Sequence, residues 1–479
     1  MLGERGASSL FTLRISIIDF KNIENDVKGK YNMHHKDYDG LKKDLINLMN
    51  GFAYRNNIQC KVSNVEFRSL RNVSLYFKCR KDEMIKLNKI FERNNIKLKI
   101  TRDRSGRSKN NYVLRITPRN VDELRKIIGE NKEYEVILLK IKEYFRYGNI
   151  ARIFLLSQSR EGEDLKKLAS ENALLDSYKR SKIIIDLSMR SVSDRSVYLH
   201  DVNKIKFALW SFVTSLVFGS IGYASRRGFG SIVVENINDG KALWILAESL
   251  SAKDVIKEDV EYIKKLIFKI KSESLPENIE ASLQELLQKA VDIVAQAIGR
   301  VSKTGMVIPK VPTLLLNSYF KFKVFKCNDP LQSLHCISEA CLKDKWKNLT
   351  RATHSSRLHT WILGLPRGTN RGVRRGYLSK KGNRRPSAIH FKILKNARGT
   401  YIVVYGFLSE DWPVDSLYHY SPKYGEGVLV TQLDVARPSG RWHHSTNNKY
   451  SMLTNVFNTA FEFIERIIKD CCKKGGCHA

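Results

Sequence analysis

Apolar positions recur along this chain with two periods, and these divide it into elements. Alternation in Phe11-Thr-Leu-Arg-Ile-Ser-Ile-Ile18 predicts a first strand, and 73–78, 96–100 and 112–116 read the same way. Helical spacing puts Leu41, Leu45 and Leu48 on one face of a helix over 39–51. Helices are also predicted over 121–129, 133–147 and 161–180. Lys182–Met189 predicts a strand with a buried centre. Val202–Phe218 predicts a helix on which Ile205, Leu209, Phe212, Val213 and Leu216 share a face. A glycine-rich stretch follows, and then a β-branched strand over 232–235.

The segment 251–301 predicts two long helices broken at 272–276. Its nine acidic residues slightly outnumber its eight basic ones, so this helical insertion is expected to face solvent or a protein partner. Strands are predicted at 321–325, 389–394 and 401–405, and helices at 331–347 and 452–472. The pattern is α+β. A strand, helix, loop and strand closing the first half is how a β-α-β-β-α-β unit ends. Two domains are therefore expected, over 1–238 and 239–479.

Charge changes the picture next. The 479 residues carry 83 Lys and Arg against 49 Asp and Glu, a formal charge of +34. That excess favours a polyanionic partner, nucleic acid first and an anionic membrane surface second. At 42% hydrophobic and 10% aromatic residues the chain is globular, not a disordered basic tail. The uncharged run 207–225 stops being apolar at Phe218, too short for a bilayer span, and the N-terminus lacks a signal-peptide core. A soluble, cytoplasmic protein is expected.

The densest chemistry lies in Gly219-Ser-Ile-Gly222-Tyr-Ala-Ser225-Arg226-Arg227-Gly228-Phe229-Gly230-Ser231. Glycines let a loop turn bare backbone N–H groups towards an anion, and two adjacent guanidinium groups supply phosphate forks. The same residues also suit a plain helix C-cap and turn with exposed arginines. A dinucleotide fingerprint needs strand into helix, the reverse of the order here, and no G-x-x-x-x-G-K-[ST] is present.

A second basic element runs over 345–409, with fifteen Lys or Arg and no Asp or Glu. Arg367, Arg371, Arg374, Arg375, Lys380, Lys381, Arg384 and Arg385, interrupted by glycine and Tyr377, read as a flexible arm tracking a phosphate backbone. His390 and Lys392 alternate with Ile389 and Phe391, so they project from a strand towards RNA, although a lone histidine also serves as a structural hydrogen-bonder. No catalytic, metal or cofactor constellation is legible. The eight cysteines lack paired metal spacing, and the tail Cys471-Cys472-Lys-Lys-Gly-Gly-Cys477-His478 is too tight for a tetrahedral cage, so reduced, buried thiols are expected.

The stretch 218–232 is similar to the signature glycine-rich loop of RAMP proteins, the repeat-associated subunits of CRISPR effector complexes. Leu363-Gly-Leu-Pro-Arg367, Arg384-Arg-Pro-Ser-Ala-Ile-His-Phe-Lys-Ile393 and Val403-Val-Tyr-Gly-Phe-Leu408 extend the likeness to the first subunit of type III-B Cmr complexes. That resemblance implies two ferredoxin-like (RRM-like) domains in tandem. It also implies a non-catalytic role without small-molecule substrate or cofactor, and no membrane. The partners it implies are crRNA, the paired target RNA and other Cmr subunits. Gly222, Ser225, Arg226, Arg227, Gly228 and Gly230 would form the loop contact. Ile17-Ile-Asp-Phe-Lys-Asn22 lacks the proline and glycines of the family's first turn, so no N-terminal RNA contact carries over. Two other readings stand beside it. One is a metal-independent RAMP endoribonuclease with His34 or His35 as general base; the other is an RNA-binding protein of ribosome or tRNA biogenesis.

Overall fold

The computed structural model describes residues 11–19, 37–68, 72–102, 111–117, 120–129, 134–142, 144–145, 182–189, 202–220, 231, 233–234, 253–298, 308–310, 319–350, 355–365, 367–369, 375–380, 385–421, 427–438, 442–443 and 448–474. Two compact units emerge, one over 17–182 and the other over 1–16 with 183–479. The division thus falls elsewhere than at 238. The reason is packing: the strand at 182–189 and the helix at 202–218 belong with the second half of the chain. β1 (Phe11–Asp19) pairs with β6 (Lys182–Met189), strands far apart in sequence.

In the unit over 17–182, α1 (Asp37–Arg55) precedes β2 (Lys61–Arg68), β3 (Asn72–Lys78), α2 (Lys81–Arg93), β4 (Ile100–Arg102), β5 (Asn111–Ile116) and the short α3 (Leu124–Ile128). The sheet is antiparallel in the order β2-β3-β5-β4. Leu41, Leu45 and Leu48 are buried as their spacing predicts, as are Val73, Leu75 and Phe77 on one face of β3 and Leu87 and Phe91 on α2. From α1 to β5 the element order α-β-β-α-β-β is the β-α-β-β-α-β series with its first strand moved to the end. β5, turning back from β4, lies between β3 and β4, while β1 pairs with β6.

The other unit is built on a three-stranded antiparallel sheet, β10-β11-β7, from β7 (Phe320–Cys327), β10 (Ile389–Asn396) and β11 (Gly399–Phe407). Its elements β7, α7 (Pro330–Cys341), β10, β11 and α9 (Lys449–Lys474) follow the first five members of the β-α-β-β-α-β series. A sixth strand is absent among the described residues. α7 and α9 pack together on one face of the sheet. On the other face lie α4 (Val202–Phe218), α5 (Lys253–Ser272) and α6 (Pro276–Ile298). Trp210, Val213, Ile263, Leu266, Leu283 and Leu286 there meet Phe320, Val324, Val403 and Tyr405 of the sheet.

The paired helices of 251–301 are therefore half core, not an outlying insertion. Their charge count describes only one face. Ile263, Ile270, Ile279 and Leu286 form the stripe beneath it, and Lys206 of α4 meets Asp259 of α5 at 2.9 Å.

Part of the basic segment is also folded. α8 (Lys343–Leu349) follows α7 after a break at Leu342, where one helix over 331–347 is the sequence expectation. β8 (Arg367–Thr369) and β9 (Arg375–Ser379) then form a hairpin in a second antiparallel sheet with β12 (Leu417–Tyr420) and β13 (Val428–Leu429). β14 (Val435–Ala436) pairs with β15 (Trp442–His443). The expected strand over 232–235 is not seen at Val233 and Val234, and the predicted helix over 161–180 lies outside the described residues.

Six of the seven cysteines among the described residues are joined, as Cys60–Cys79, Cys327–Cys472 and Cys336–Cys471. This corrects the expectation of reduced thiols, although their burial is as expected. The latter two pairs connect residues 145 and 135 apart, a separation at which spacing carries no signal. No helix among the described residues is long and apolar enough to cross a membrane.

Candidate nucleic-acid interface

The glycine-rich loop itself, with Gly222, Ser225, Arg226, Arg227, Gly228 and Gly230, lies outside the described residues. Its base lies within them. Ser220 and Ser231 bridge as antiparallel partners and close the two ends of the loop on each other. The last turn of α4 leaves carbonyls that no later helical N–H can satisfy, and side chains from the sheet take them. Lys392 donates to the carbonyls of Leu216 at 2.7 Å and Gly219 at 3.0 Å. The hydroxyl of Tyr405 donates to the carbonyl of Phe218 at 2.5 Å. Ser231 accepts the backbone N–H of Ile393 through its Oγ at 2.9 Å. A Cβ on Gly219 would stand 2.1 Å from the carbonyl oxygen of Ser215, so this position admits glycine alone without a shift of the helix end.

Lys392 corrects its own assignment. Alternation on β10 does separate it from Ile389 and Phe391, as the sequence predicts, but its face of the sheet is covered by α4, α5 and α6. The residue is 1% exposed, so its amine meets the negative end of the α4 dipole and not a solvent-borne phosphate. Burial in apolar surroundings lowers its pKa from 10.5 to about 7. His390 is half-buried on the same face. Its Nε2 lies 3.0 Å from the carbonyl of Ser387, and its ring packs on those of Tyr405 and Phe407 at 5.3 and 5.0 Å. The structural role weighed for a lone histidine is the one seen.

Arg385 is similarly engaged. Its backbone bridges Leu365, while its guanidinium donates to Ser409 Oγ at 2.8 Å and to the carboxylate of Asp411, and lies over the Trp412 ring at 5.1 Å. The acidic partner sits two residues past the carboxylate-free stretch, so the composition of that stretch carries no sign of it. Gly364 makes the bridge possible. It adopts φ +108, and a Cβ there would lie 3.2 Å from the Arg385 carbonyl oxygen and 3.3 Å from the Ser387 nitrogen. The glycine of Leu363-Gly-Leu-Pro-Arg367 is thus required by the backbone.

Of the other basic residues, Lys380 is exposed, with its amine 4.4 Å from the Tyr418 ring centroid. Arg367 opens β8 opposite Tyr377, and Arg375 lies at the other end of the pair, opposite Thr369 and next to the connection. The connection between these strands carries Arg371 and Arg374 and lies outside the described residues, as do Lys381 and Arg384. Where it is described, the expected free arm is thus the paired strands β8 and β9.

A buried ring cluster, which sequence reasoning missed, holds that hairpin. Tyr377, 1% exposed, packs on His419 at 4.7 Å and on His359 at 6.5 Å. The indole Nε1 of Trp361 donates to His359 Nδ1 at 3.1 Å, so the imidazole proton resides on Nε2 and is donated to the carbonyl of Asp434 at 3.0 Å. Desolvation holds the pKa of His359 at about 4, and desolvation with Lys343 nearby does the same for His419. These imidazoles are neutral wedges.

No protein-family model matches the chain, and no curated protein matches it in sequence. Among solved structures, it is similar to a chain of a Type III-B Cmr-beta structure bound to cognate target RNA and AMPPnP, in the presence of ssDNA. That match has 13% identity and a TM-score of 0.37, and covers 96% of this chain and 84% of that one. A second Cmr-beta structure, bound to cognate target RNA, matches at 13% identity and TM-score 0.32 over 97% of this chain and 84% of that one. Cmr1 from Pyrococcus furiosus, in its apo form, matches at 17% identity and TM-score 0.29, over 59% of this chain and 66% of that one.

Proposed function

We propose that this chain is a non-catalytic, RNA-binding subunit of the RAMP type in a type III-B CRISPR ribonucleoprotein effector. Its role would be to hold the 3′ region of the guide RNA and the target RNA paired to it. The observation that carries the reading is the built base of the glycine-rich loop. Gly222, Ser225, Arg226, Arg227, Gly228 and Gly230 all fall between Ser220 and Ser231, whose bridge closes the loop, and Lys392 and Tyr405 anchor its start. Anchored ends reduce the freedom that a glycine-rich loop must give up before its N–H and guanidinium groups can meet a phosphate. A formal charge of +34 supplies the field that draws a polyanion to it.

Backbone N–H groups and basic side chains recognise phosphate and sugar, not base edges. Guide and guide–target RNAs of unrelated sequence should therefore bind within about tenfold of one another at fixed salt, a spread of about 1.4 kcal/mol. A hundredfold preference for one sequence in filter binding would contradict this. The function itself is tested by capturing the tagged chain from its native cell and sequencing the RNA it carries. Guide RNAs with many spacers and one repeat-derived sequence are expected. Ribosomal or tRNA precursors would overturn the reading. Metal-independent cleavage of repeat RNA in EDTA, abolished in His34→Ala/His35→Ala, would replace it with the endoribonuclease.

A further inference from the structure

Away from the loop, a second cluster gathers chemistry that the proposed function does not use. Cys327 ends β7, Cys336 sits on α7, and Cys471 and Cys472 lie near the end of α9. All four are buried, at 3%, 0%, 8% and 7% exposure. The sulfurs of Cys327, Cys336 and Cys472 lie within 4.8 Å of one another, and Cys471 is bonded to Cys336. Beside them, His335, Glu339 and Cys471 form a second set of donors within the same distance. Gln332, 5% exposed, turns its amide nitrogen towards two of the sulfurs, 3.4 Å from Cys336 and 3.6 Å from Cys471, as well as to the Cys471 carbonyl at 3.1 Å. A disulfide sulfur is a weak acceptor, whereas a thiolate is a strong one, so a buried N–H aimed at sulfur suits the charged form.

We propose that the reduced form of this cluster binds a zinc ion through the thiolates of Cys327, Cys336, Cys471 and Cys472, with Gln332 as hydrogen-bond donor to the ligand sulfurs. Zinc–thiolate bonds of about 2.3 Å put the sulfurs of a tetrahedron roughly 3.8 Å apart, within the span the three mutually close sulfurs already occupy. Conversion from the oxidised form is balanced by a dithiol reductant. Each disulfide accepts two electrons and two protons from it and becomes two thiols, while the reductant leaves as its own disulfide. Zinc then displaces the thiol protons to solvent. The site fastens α9 to α7 and β7 in either oxidation state, by covalent bonds in one and by the metal in the other. Sequence spacing carries no sign of it, since two ligands are adjacent in the tail and the other two lie more than a hundred residues upstream.

The test uses the full chain, reduced under argon and titrated with cobalt(II) chloride alone. One cobalt per chain is expected, with the near-ultraviolet thiolate-to-metal charge-transfer band of a sulfur-rich tetrahedral site, bleached by added zinc. Cys336→Ser and Cys472→Ser should each abolish that band. Because either serine variant could fold poorly, Gln332→Leu provides a second reading. It should keep the wild-type far-ultraviolet circular dichroism while weakening metal binding roughly 10- to 100-fold. No band in the reduced wild type, a band that survives both serine variants, or unchanged affinity in Gln332→Leu would each overturn the site. RNA binding plays no part in these readouts, so they stand or fall independently of the proposed function.

Discussion

A lysine amine that is 1% exposed must find its acceptors inside the protein, and Lys392 finds them on the last carbonyls of α4. Replacing it with methionine leaves the Leu216 and Gly219 carbonyls without that donor, at about 1–3 kcal/mol for a buried acceptor. The pH dependence follows from the direction of its shift. The folded amine releases its proton near 7 and the unfolded one near 10.5, so between these values the unfolded state binds more protons and wild-type stability rises with pH. The stability gap between wild type and Lys392→Met in urea titrations should therefore widen from pH 7 to pH 10, and a constant gap would refute the buried amine. At Gly364 the constraint is steric. Gly364→Ala forces a side chain into φ +108 against the Arg385 carbonyl and should destabilise by about 1–3 kcal/mol in the same titrations. Sequence pattern places both residues on their elements. It does not show what covers the β10 face, and so Lys392 reads as an RNA contact.

At the scale of elements, periodicity is a good guide and charge a poor one. α1, α4, β3, β10 and β11 lie where alternation or helical spacing puts them, because burial of one face is what both the pattern and the fold express. α5 and α6 escape the charge count because counting over 251–301 averages two faces of opposite character. The basic run misleads in a different way. Arginines at 367 and 375 say nothing about the aromatic side chain on β9, yet Tyr377, seated against His419 and His359, is what makes the segment a hairpin. That seat is acid-sensitive. Both histidines are held neutral with pKa about 4, against 6.5 when unfolded. The unfolded state therefore binds more protons between those values, and stability falls as pH drops through them. Tryptophan fluorescence should report the unseating through Trp361, which donates to His359, between about pH 6.5 and 4. His359→Gln should flatten that dependence, and an equally steep one in the variant would assign it to other groups.

For the whole molecule, the excess of 34 positive charges points to a polyanion without any knowledge of the fold, and the glycine-rich motif says where to look. Strand order and the cysteine pairing are beyond reach of the sequence, since β5 taking the place beside β3 and Cys471 reaching Cys336 are both set by tertiary packing over long separations. Phosphate binding by the loop between Ser220 and Ser231 is the central claim. Its most direct test is the salt dependence of guide-RNA affinity for wild type and Arg226→Ala/Arg227→Ala, with circular dichroism to show that both are folded. Every arginine–phosphate pair removed should reduce the slope of log affinity against log salt by about 0.7 for single-stranded RNA, so the double variant should fall short by roughly 1.4 and bind more weakly at low salt. An unchanged slope with unchanged affinity would contradict the phosphate site.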